Sequence, residues 1–246
     1  MAASFFGEIV EPASRAFFDF GEDDFDEESS AEKCEFKITW KTEALRYDTV
    51  LVFHGKISNA FADRSFFDQG LCCGTVEKVT KQSLKKDAAT FYSLQNDILA
   101  LSVTAVEDIH SVPFIDCLDE IISKTKRVVV ICSLPAARYL GEQRIEDGLL
   151  RCLVTSAKIE DLKIRCTTLE QPNFVPGVPA AFMSYCCLKQ KPGYLLLCYS
   201  DDDPDVVDSR TLLPFNPIMT CPLFKSICKR EHSSKLTGSA YGNIYM

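Results

Sequence analysis

The sequence predicts a three-layer α/β/α protein, in which helices cover both faces of a mostly parallel central sheet. Apolar, β-branched runs typical of doubly buried strands alternate with segments whose apolar residues recur at helical spacing. The run VVVICS follows a predicted helix after one residue, which indicates a strand-helix-strand unit. With 246 residues, of which 46% are hydrophobic and 25% charged, the chain is long enough to bury such a core.

The first elements alternate between strand and helix. Residues 34–40, CEFKITW, alternate polar and apolar side chains and predict a half-buried strand. Residues 49–55, TVLVFHG, predict a central strand that Gly55 closes. Residues 57–67 predict a helix, and residues 71–79, LCCGTVEKV, predict the next strand.

The strand-helix-strand unit lies in the middle of the chain. It begins with a predicted strand at residues 98–104, and Ser111 is the predicted cap of the helix through residues 112–126. That helix has one apolar face, formed by Phe114, Ile115, Leu118, Ile121 and Ile122. VVVICS completes a unit for which parallel pairing with a right-handed crossover is the commonest arrangement.

The second half repeats the alternation. Residues 162–170, LKIRCTTLE, predict a strand, and residues 178–191 predict a helix. Residues 193–205, GYLLLCYSDDDPD, predict a strand that ends in an acidic turn. A short helix is predicted from Pro222 to Lys229.

Composition divides the chain into three parts. Residues 1–32 carry ten acidic side chains and one basic side chain, and predict a disordered acidic leader. Residues 33–230 contain no linker rich in proline, glycine or serine and predict a single α/β domain. Residues 231–246 are mostly small and polar and predict a flexible tail.

Charge and hydropathy argue against nucleic-acid binding and membrane insertion. Outside the leader, 25 acidic and 26 basic side chains nearly balance, so the concentrated basic surface that nucleic-acid binding needs is missing. No apolar run approaches the roughly 20 residues of a membrane span, and the first ten residues lack the basic start of a secretory signal. We expect a cytoplasmic protein, with the nucleus and association with the endoplasmic reticulum as additional locations.

Neither a metal nor a cofactor is predicted. The twelve cysteines are dispersed through apolar runs without Cys-x-x-Cys spacing, which favours buried thiols over disulfides or a zinc site. The motifs of dinucleotide, phosphate, nucleophilic-serine and zinc-protease sites are missing, and Gly55 and Lys56 lack the other residues of a phosphate loop.

The last three residues carry the strongest functional signal. Ile244 and Tyr245 precede Met246, which bears the terminal carboxylate. This ending resembles the hydrophobic-Tyr-x tail with which proteasome activators and assembly factors enter pockets between alpha subunits of the core particle. An apolar slot suits the two side chains and a buried cation suits the carboxylate. The resemblance implies that these three residues bind the proteasome.

Further segments resemble the proteasome assembly chaperone family. They are MAASFFGE at residues 1–8, LEQPN at 169–173, PAA at 179–181, SYC at 184–186, LCY at 197–199 and NIY at 243–245. Over residues 33–165 the resemblance lies in the order of strands and helices.

The resemblance implies a non-catalytic chaperone that pairs with a second, similarly folded subunit, proteasome assembly chaperone 2. The pair holds proteasome alpha subunits while their ring forms and blocks wrong dimerisation of rings. Such pairing implies an apolar surface that a single chain leaves exposed.

An enzyme is the alternative, because the family's core resembles that of nucleoside phosphorylases and related hydrolases, and fold does not determine function. A phosphorylase-like or hydrolase-like site would use the strand ends near Asn173 and Asp201. A filled, apolar crevice at the strand ends favours the chaperone, whereas an open polar pocket with convergent titratable groups favours the enzyme.

Overall fold

The computed structural model describes residues 34–42, 46–79, 85–141, 145, 148–155, 162, 164, 166–200 and 211–228. The leader at residues 1–32, the acidic turn at 201–205 and the tail at 231–246 lie outside the described residues. What the sequence predicts for those segments, and for the domain boundaries, stays a prediction.

A single mixed sheet of nine strands forms the centre of the structure. In chain order the strands are β1 (Glu35–Trp40), β2 (Thr49–His54), β3 (Leu71–Val79), β4 (Lys85–Leu94), β5 (Ile98–Val103), β6 (Arg127–Pro135), β7 (Leu149–Val154), β8 (Thr167–Thr168) and β9 (Gly193–Ser200). Across the sheet their order is β1-β3-β4-β5-β2-β6-β9-β7-β8.

The middle of the sheet is parallel. β2 lies between β5 and β6, β9 lies on the far side of β6, and all four strands run in one direction. Every side chain of β5 and β9 is buried, as expected for strands covered on both faces. The predicted central position of β2 and the parallel strand-helix-strand unit are confirmed, with β2 inserted between β5 and β6.

Both margins of the sheet contain antiparallel pairs, so the prediction of a mostly parallel sheet is too simple. β3 pairs antiparallel with β1 and β4, β4 with β5, and β7 with β9. Residues 95–97 alone join β4 to β5, and so short a connection permits only antiparallel pairing. Asn96 and Asp97 have φ values of 62° and 55°, the left-handed conformation that tight hairpin turns require.

Two strands were not predicted from the sequence, and a third is shorter than predicted. β4 begins with three charged residues, and β7 carries Arg151 in its middle, so neither shows a continuous apolar pattern. Of the strand predicted at 162–170, the described residues form strand only at Thr167–Thr168.

Helices cover both faces of the sheet, which confirms the three-layer α/β/α class. On one face lie α2 (Ser111–Lys124) and α3 (Gly177–Leu188), and on the other lie α1 (Lys56–Ser65), α4 (Asn216–Met219) and α5 (Pro222–Ile227). The prediction that Ser111 caps α2 is wrong: Ser111 is the first helical residue, and its hydroxyl donates to the Asp108 carbonyl at 2.7 Å. No helix among the described residues is long and apolar enough to cross a membrane.

Phe114 of α2 connects three elements of one face. Its ring centroid lies 5.3 Å from that of Phe36 in β1 and 6.5 Å from that of Phe182 in α3, edge-to-face in both cases. The side chain is completely buried. Phe114 therefore joins the antiparallel margin of the sheet to both helices of this layer.

We predict that Phe114→Ala lowers the free energy of unfolding by about 3–5 kcal/mol, because it opens a cavity that these elements cannot fill. Val112→Ala, at a position in the same helix that is 65% exposed, is the matched control and should change it by less than about 0.5 kcal/mol. Urea denaturation followed by circular dichroism measures both, and equal effects would show that Phe114 is not a central packing residue.

Candidate interaction site

The carboxyl ends of the parallel strands form the edge where the enzyme alternative places its site. Gly55, directly after β2, has a φ of 94°, and a Cβ there would lie 2.5 Å from the Ser133 hydroxyl oxygen of β6. The same oxygen accepts a hydrogen bond from the Ser58 N–H in the first turn of α1, at 3.3 Å. The beginning of α1 is therefore filled by β6 instead of forming a phosphate cradle.

The polar side chains at this edge serve mainly to bind the backbone. The Ser58 hydroxyl donates to the Gly55 carbonyl at 2.9 Å, and the Asn59 amide donates to the Val103 carbonyl at 2.9 Å. Burial lowers the pKa of His54, whose Nδ1 is buried and has no hydrogen-bond partner among the described residues. A half-buried imidazole whose pKa is lowered and a serine bound to the backbone are features of a folded core.

A buried arginine organises a polar cluster on the face that carries α2 and α3. Arg151 of β7 is 7% exposed, and its Nε and Nη2 donate to the two Glu170 carboxylate oxygens at 2.8 and 3.2 Å. The Tyr139 hydroxyl donates to the same carboxylate and accepts from Arg151 Nη2 at 3.2 Å. This bidentate pair with a third donor ties together β7, the segment after β6 and the segment before α3.

The charges of the cluster are strongly coupled. Hydrogen bonds from Arg151 and Tyr139 lower the pKa of Glu170 to about 2, and the Glu170 carboxylate raises the pKa of Tyr139. Glu170 is thus ionised at neutral pH and compensates the buried guanidinium. A carboxylate held in this way is a poor general acid or base near pH 7.

Tyr199 of β9 fills the space beside the cluster. Its ring centroid lies 5.2 Å from that of Tyr139, and the side chain is fully buried. The hydroxyl lacks a hydrogen-bond partner among the described residues, and burial raises its pKa to about 12. The rings of Tyr139 and Tyr199 therefore pack together beside the end of β9.

Asn173 has a structural role here. Its Oδ1 accepts a hydrogen bond from the Leu140 N–H at 2.7 Å, and its Nδ2 donates to the carbonyls of Glu170 and Leu140 at 3.0 and 3.5 Å. The amide joins the turn before α3 to the segment after β6 through these three hydrogen bonds. We call this set of hydrogen bonds the Asn173 clasp. Asp201, the other residue of the enzyme alternative, lies outside the described residues.

The Asn173 clasp holds two large apolar side chains in solvent. Leu140 is 51% exposed and Phe174 is 71% exposed. The backbone of Leu140 takes part in the clasp, and Phe174 directly follows Asn173 in the chain. We call these two residues the Leu140–Phe174 surface. Exposed aromatic and aliphatic side chains on a fixed backbone are typical of protein-binding surfaces.

The sequence predicts only part of this region. The predicted proteasome-binding residues Ile244, Tyr245 and Met246 lie outside the described residues. Tyr139, Arg151 and Phe174 were not predicted, although an arginine inside the apolar run LLRCLV indicates that a carboxylate lies nearby. The described part of the chain contains no group of three His, Cys, Asp or Glu side chains that could hold a metal ion.

Comparison with known proteins assigns the chain to a family. A family model described as proteasome assembly chaperone 4, PAC1, matches residues 73–237, which is more than half of the chain. The chain belongs to the proteasome assembly chaperone family. The segment LEQPN, which contains Glu170 and Asn173, lies within the match.

Individual chaperones of the family resemble parts of this chain. Proteasome assembly chaperone 1 of Xenopus tropicalis is 33% identical over 97 residues, which cover 38% of this chain and 32% of that protein. Proteasome assembly chaperone 1 of Homo sapiens is 41% identical over 87 residues, which cover 32% and 30%. The chain therefore matches about a third of the length of these relatives.

Two solved structures share the fold of this chaperone family member. Pyrococcus furiosus PbaA, described as an archaeal homolog of proteasome-assembly chaperone, has a TM-score of 0.52 at 10% identity over 76% of this chain and 81% of its own. Pyrococcus furiosus PbaB, described as an archaeal proteasome activator, has a TM-score of 0.50 at 13% identity over 75% and 88%. At these identities the likeness shows the fold alone.

We predict a pH-dependent difference between the wild type and Glu170→Gln, which removes the charge that compensates Arg151. The folded-state pKa of Glu170 is about 2, below its ordinary value of 4.5. The carboxylate therefore stabilises the fold above about pH 5, and this contribution is lost as the pH falls towards 2. The wild type should be the more stable protein at pH 7, and the difference should shrink on acidification.

The free energy of unfolding, measured by urea denaturation at several pH values, tests this expectation. Glu120→Gln is the control, because the Glu120–Lys124 pair is solvent-exposed and should contribute little at any pH. A difference between wild type and Glu170→Gln that stays constant down to pH 2 would contradict the proposed role of the carboxylate.

Proposed function

We propose that this chain is a non-catalytic chaperone that pairs with proteasome assembly chaperone 2 and promotes assembly of the proteasome alpha-subunit ring in the cytoplasm. The observation that carries the proposal is the family match over residues 73–237. The filled strand end at Tyr199 and the structural use of Glu170 and Asn173 support a binding role over an enzymatic one.

The proposed contact with the partner chaperone is the Leu140–Phe174 surface. Hydrogen bonds from Asn173 fix the backbone on which both side chains stand, so little conformational entropy is lost when a partner covers them. A second chaperone subunit with a complementary apolar patch would remove both side chains from water. This matches the exposed apolar surface expected of a chain that works as one half of a pair.

The proposed contact with the alpha ring is the C-terminal tail. Ile244 enters an apolar notch, the Tyr245 ring packs against the pocket wall, and the Met246 carboxylate pairs with a cation. About thirteen residues precede this anchor and could span up to roughly 40 Å when extended. Three residues bind weakly alone, so the tail adds to contacts made by the chaperone pair through a high effective concentration.

We predict that the double variant Leu140→Ser, Phe174→Ser reduces co-purification with proteasome assembly chaperone 2 at least about tenfold, since two apolar anchors of roughly 1 kcal/mol or more each are lost. Leu188→Ser is the matched control, because Leu188 is 83% exposed at the opposite end of α3 and should leave binding unchanged. Co-expression and affinity capture, with thermal unfolding of each free variant, provide the measurement.

Equal loss of the partner with Leu188→Ser, or full binding by the double variant, would remove the Leu140–Phe174 surface from the proposal. Failure of the wild-type chain to bind the partner at all would instead argue against the heterodimer.

A separate prediction concerns the tail. Deletion of Ile244 to Met246, Tyr245→Ala, and addition of one residue after Met246 should each reduce recovery of alpha subunits while the chaperone pair stays intact. Met246→Ala keeps the terminal carboxylate and is the control that should behave like the wild type. Quantitative mass spectrometry of captured complexes measures recovery, and unchanged recovery with all three changes would mean that the tail has no docking role.

A further inference from the structure

Cys152 and Cys166 lie together on the face of the sheet opposite Arg151. Cys152 and Cys166 are not joined by a disulfide in the structure. Cys152 of β7 pairs in register with Thr168 of β8, and Cys166 stands two residues before Thr168, on the same face. Both belong to the layer that contains α1 and α5.

The two cysteines are in direct contact. The Cys152 thiol donates to the Cys166 carbonyl oxygen at 3.6 Å. The Leu169 N–H donates to the Cys152 carbonyl at 2.9 Å, which holds the segment after Cys166 against β7. The register places the two cysteines diagonally across β7 and the residues just before β8, so a disulfide needs a movement of this short marginal strand.

The surroundings favour ionisation of one member of the pair. The Cys166 thiol lowers the pKa of Cys152, assisted by hydrogen bonds from Tyr194 and Thr168 and by the positive charge of Arg151. The same contact with Cys152 raises the pKa of Cys166. Cys152 is thus the nucleophile of the pair, and Cys166 is the thiol that resolves the product.

We propose that Cys152 and Cys166 form a reversible intramolecular disulfide when the protein meets a peroxide. The Cys152 thiolate attacks one oxygen of hydrogen peroxide, the O–O bond breaks, and the leaving hydroxide takes a proton to become water. The Cys166 sulfur then attacks the resulting sulfenic acid, and its proton leaves with the hydroxyl as a second water. Two thiols lose two electrons in total, and one peroxide becomes two waters.

The position of the pair explains how peroxide reaches it and what the disulfide changes. Cys152 is 5% exposed, whereas Cys166 is partly exposed next to β8, a marginal strand of two residues. Short strands at a sheet margin open more easily than central ones, which admits peroxide to Cys152. The disulfide then ties β8 to β7 and closes a loop in the unfolded chain, so the oxidised protein opens less readily at this margin.

Peptide mapping of the full chain tests the proposal. The protein is treated with a few equivalents of hydrogen peroxide, its remaining thiols are alkylated, and it is digested under non-reducing conditions with trypsin and a glutamate-specific protease. Cleavage after Arg151, Lys158, Arg165 and Glu170 leaves each cysteine of the pair on its own short peptide. We expect a product in which these two peptides are linked, with the loss of two hydrogen atoms, and we expect dithiothreitol to separate them.

Two variants sharpen the result. Cys187→Ser removes the exposed thiol and should leave the cross-link unchanged. Cys166→Ser should abolish it and leave Cys152 as a sulfenic acid that dimedone traps. Recovery of both thiols in reduced form at a peroxide dose that oxidises Cys187, or their separate oxidation without a link, would overturn the proposal, as would pairing of either thiol with another cysteine.

Discussion

The structure depends on one constraint: its central strands are apolar on both faces and must be covered twice. Nearly every side chain of β2, β5, β6 and β9 is buried, so one layer of helices cannot suffice. α2 and α3 cover one face, and α1, α4 and α5 cover the other. Because the helices occupy the faces, polar function is left to the strand ends and the sheet margins.

The margins then decide what the molecule can do. At one margin β7 places Arg151 where a fully apolar strand would have a leucine, and the carboxylate of Glu170 and the hydroxyl of Tyr139 compensate that buried charge. The partners come from segments that have no regular structure of their own. Their attachment to β7 determines where Asn173, Leu140 and Phe174 stand. An electrostatic requirement inside the sheet thereby positions an apolar surface outside it.

An α/β sheet with parallel central strands is shared by many enzymes, and the fold alone does not separate a chaperone from a hydrolase. The distinction lies in the strand ends. In the described part of this chain, Tyr199 fills one strand end, Ser133 fills another, and the titratable groups of the Arg151 cluster compensate one another. Membership of the proteasome assembly chaperone family agrees with this use of the scaffold for binding.

The sequence by itself determined the α/β class, the parallel central strands and the main helices, because their patterns of period 2 and 3.6 depend only on neighbours in the chain. It also determined the family, through short segments such as LEQPN. Only the tertiary structure decided that LLRCLV is a strand, that Asn173 is a clasp, and that Cys152 meets Cys166. The physical reason is the same in each case. The Arg151 guanidinium, the Asn173 amide and the Cys152 thiol each contact a group that is distant in sequence, and the local sequence pattern does not specify which group that is.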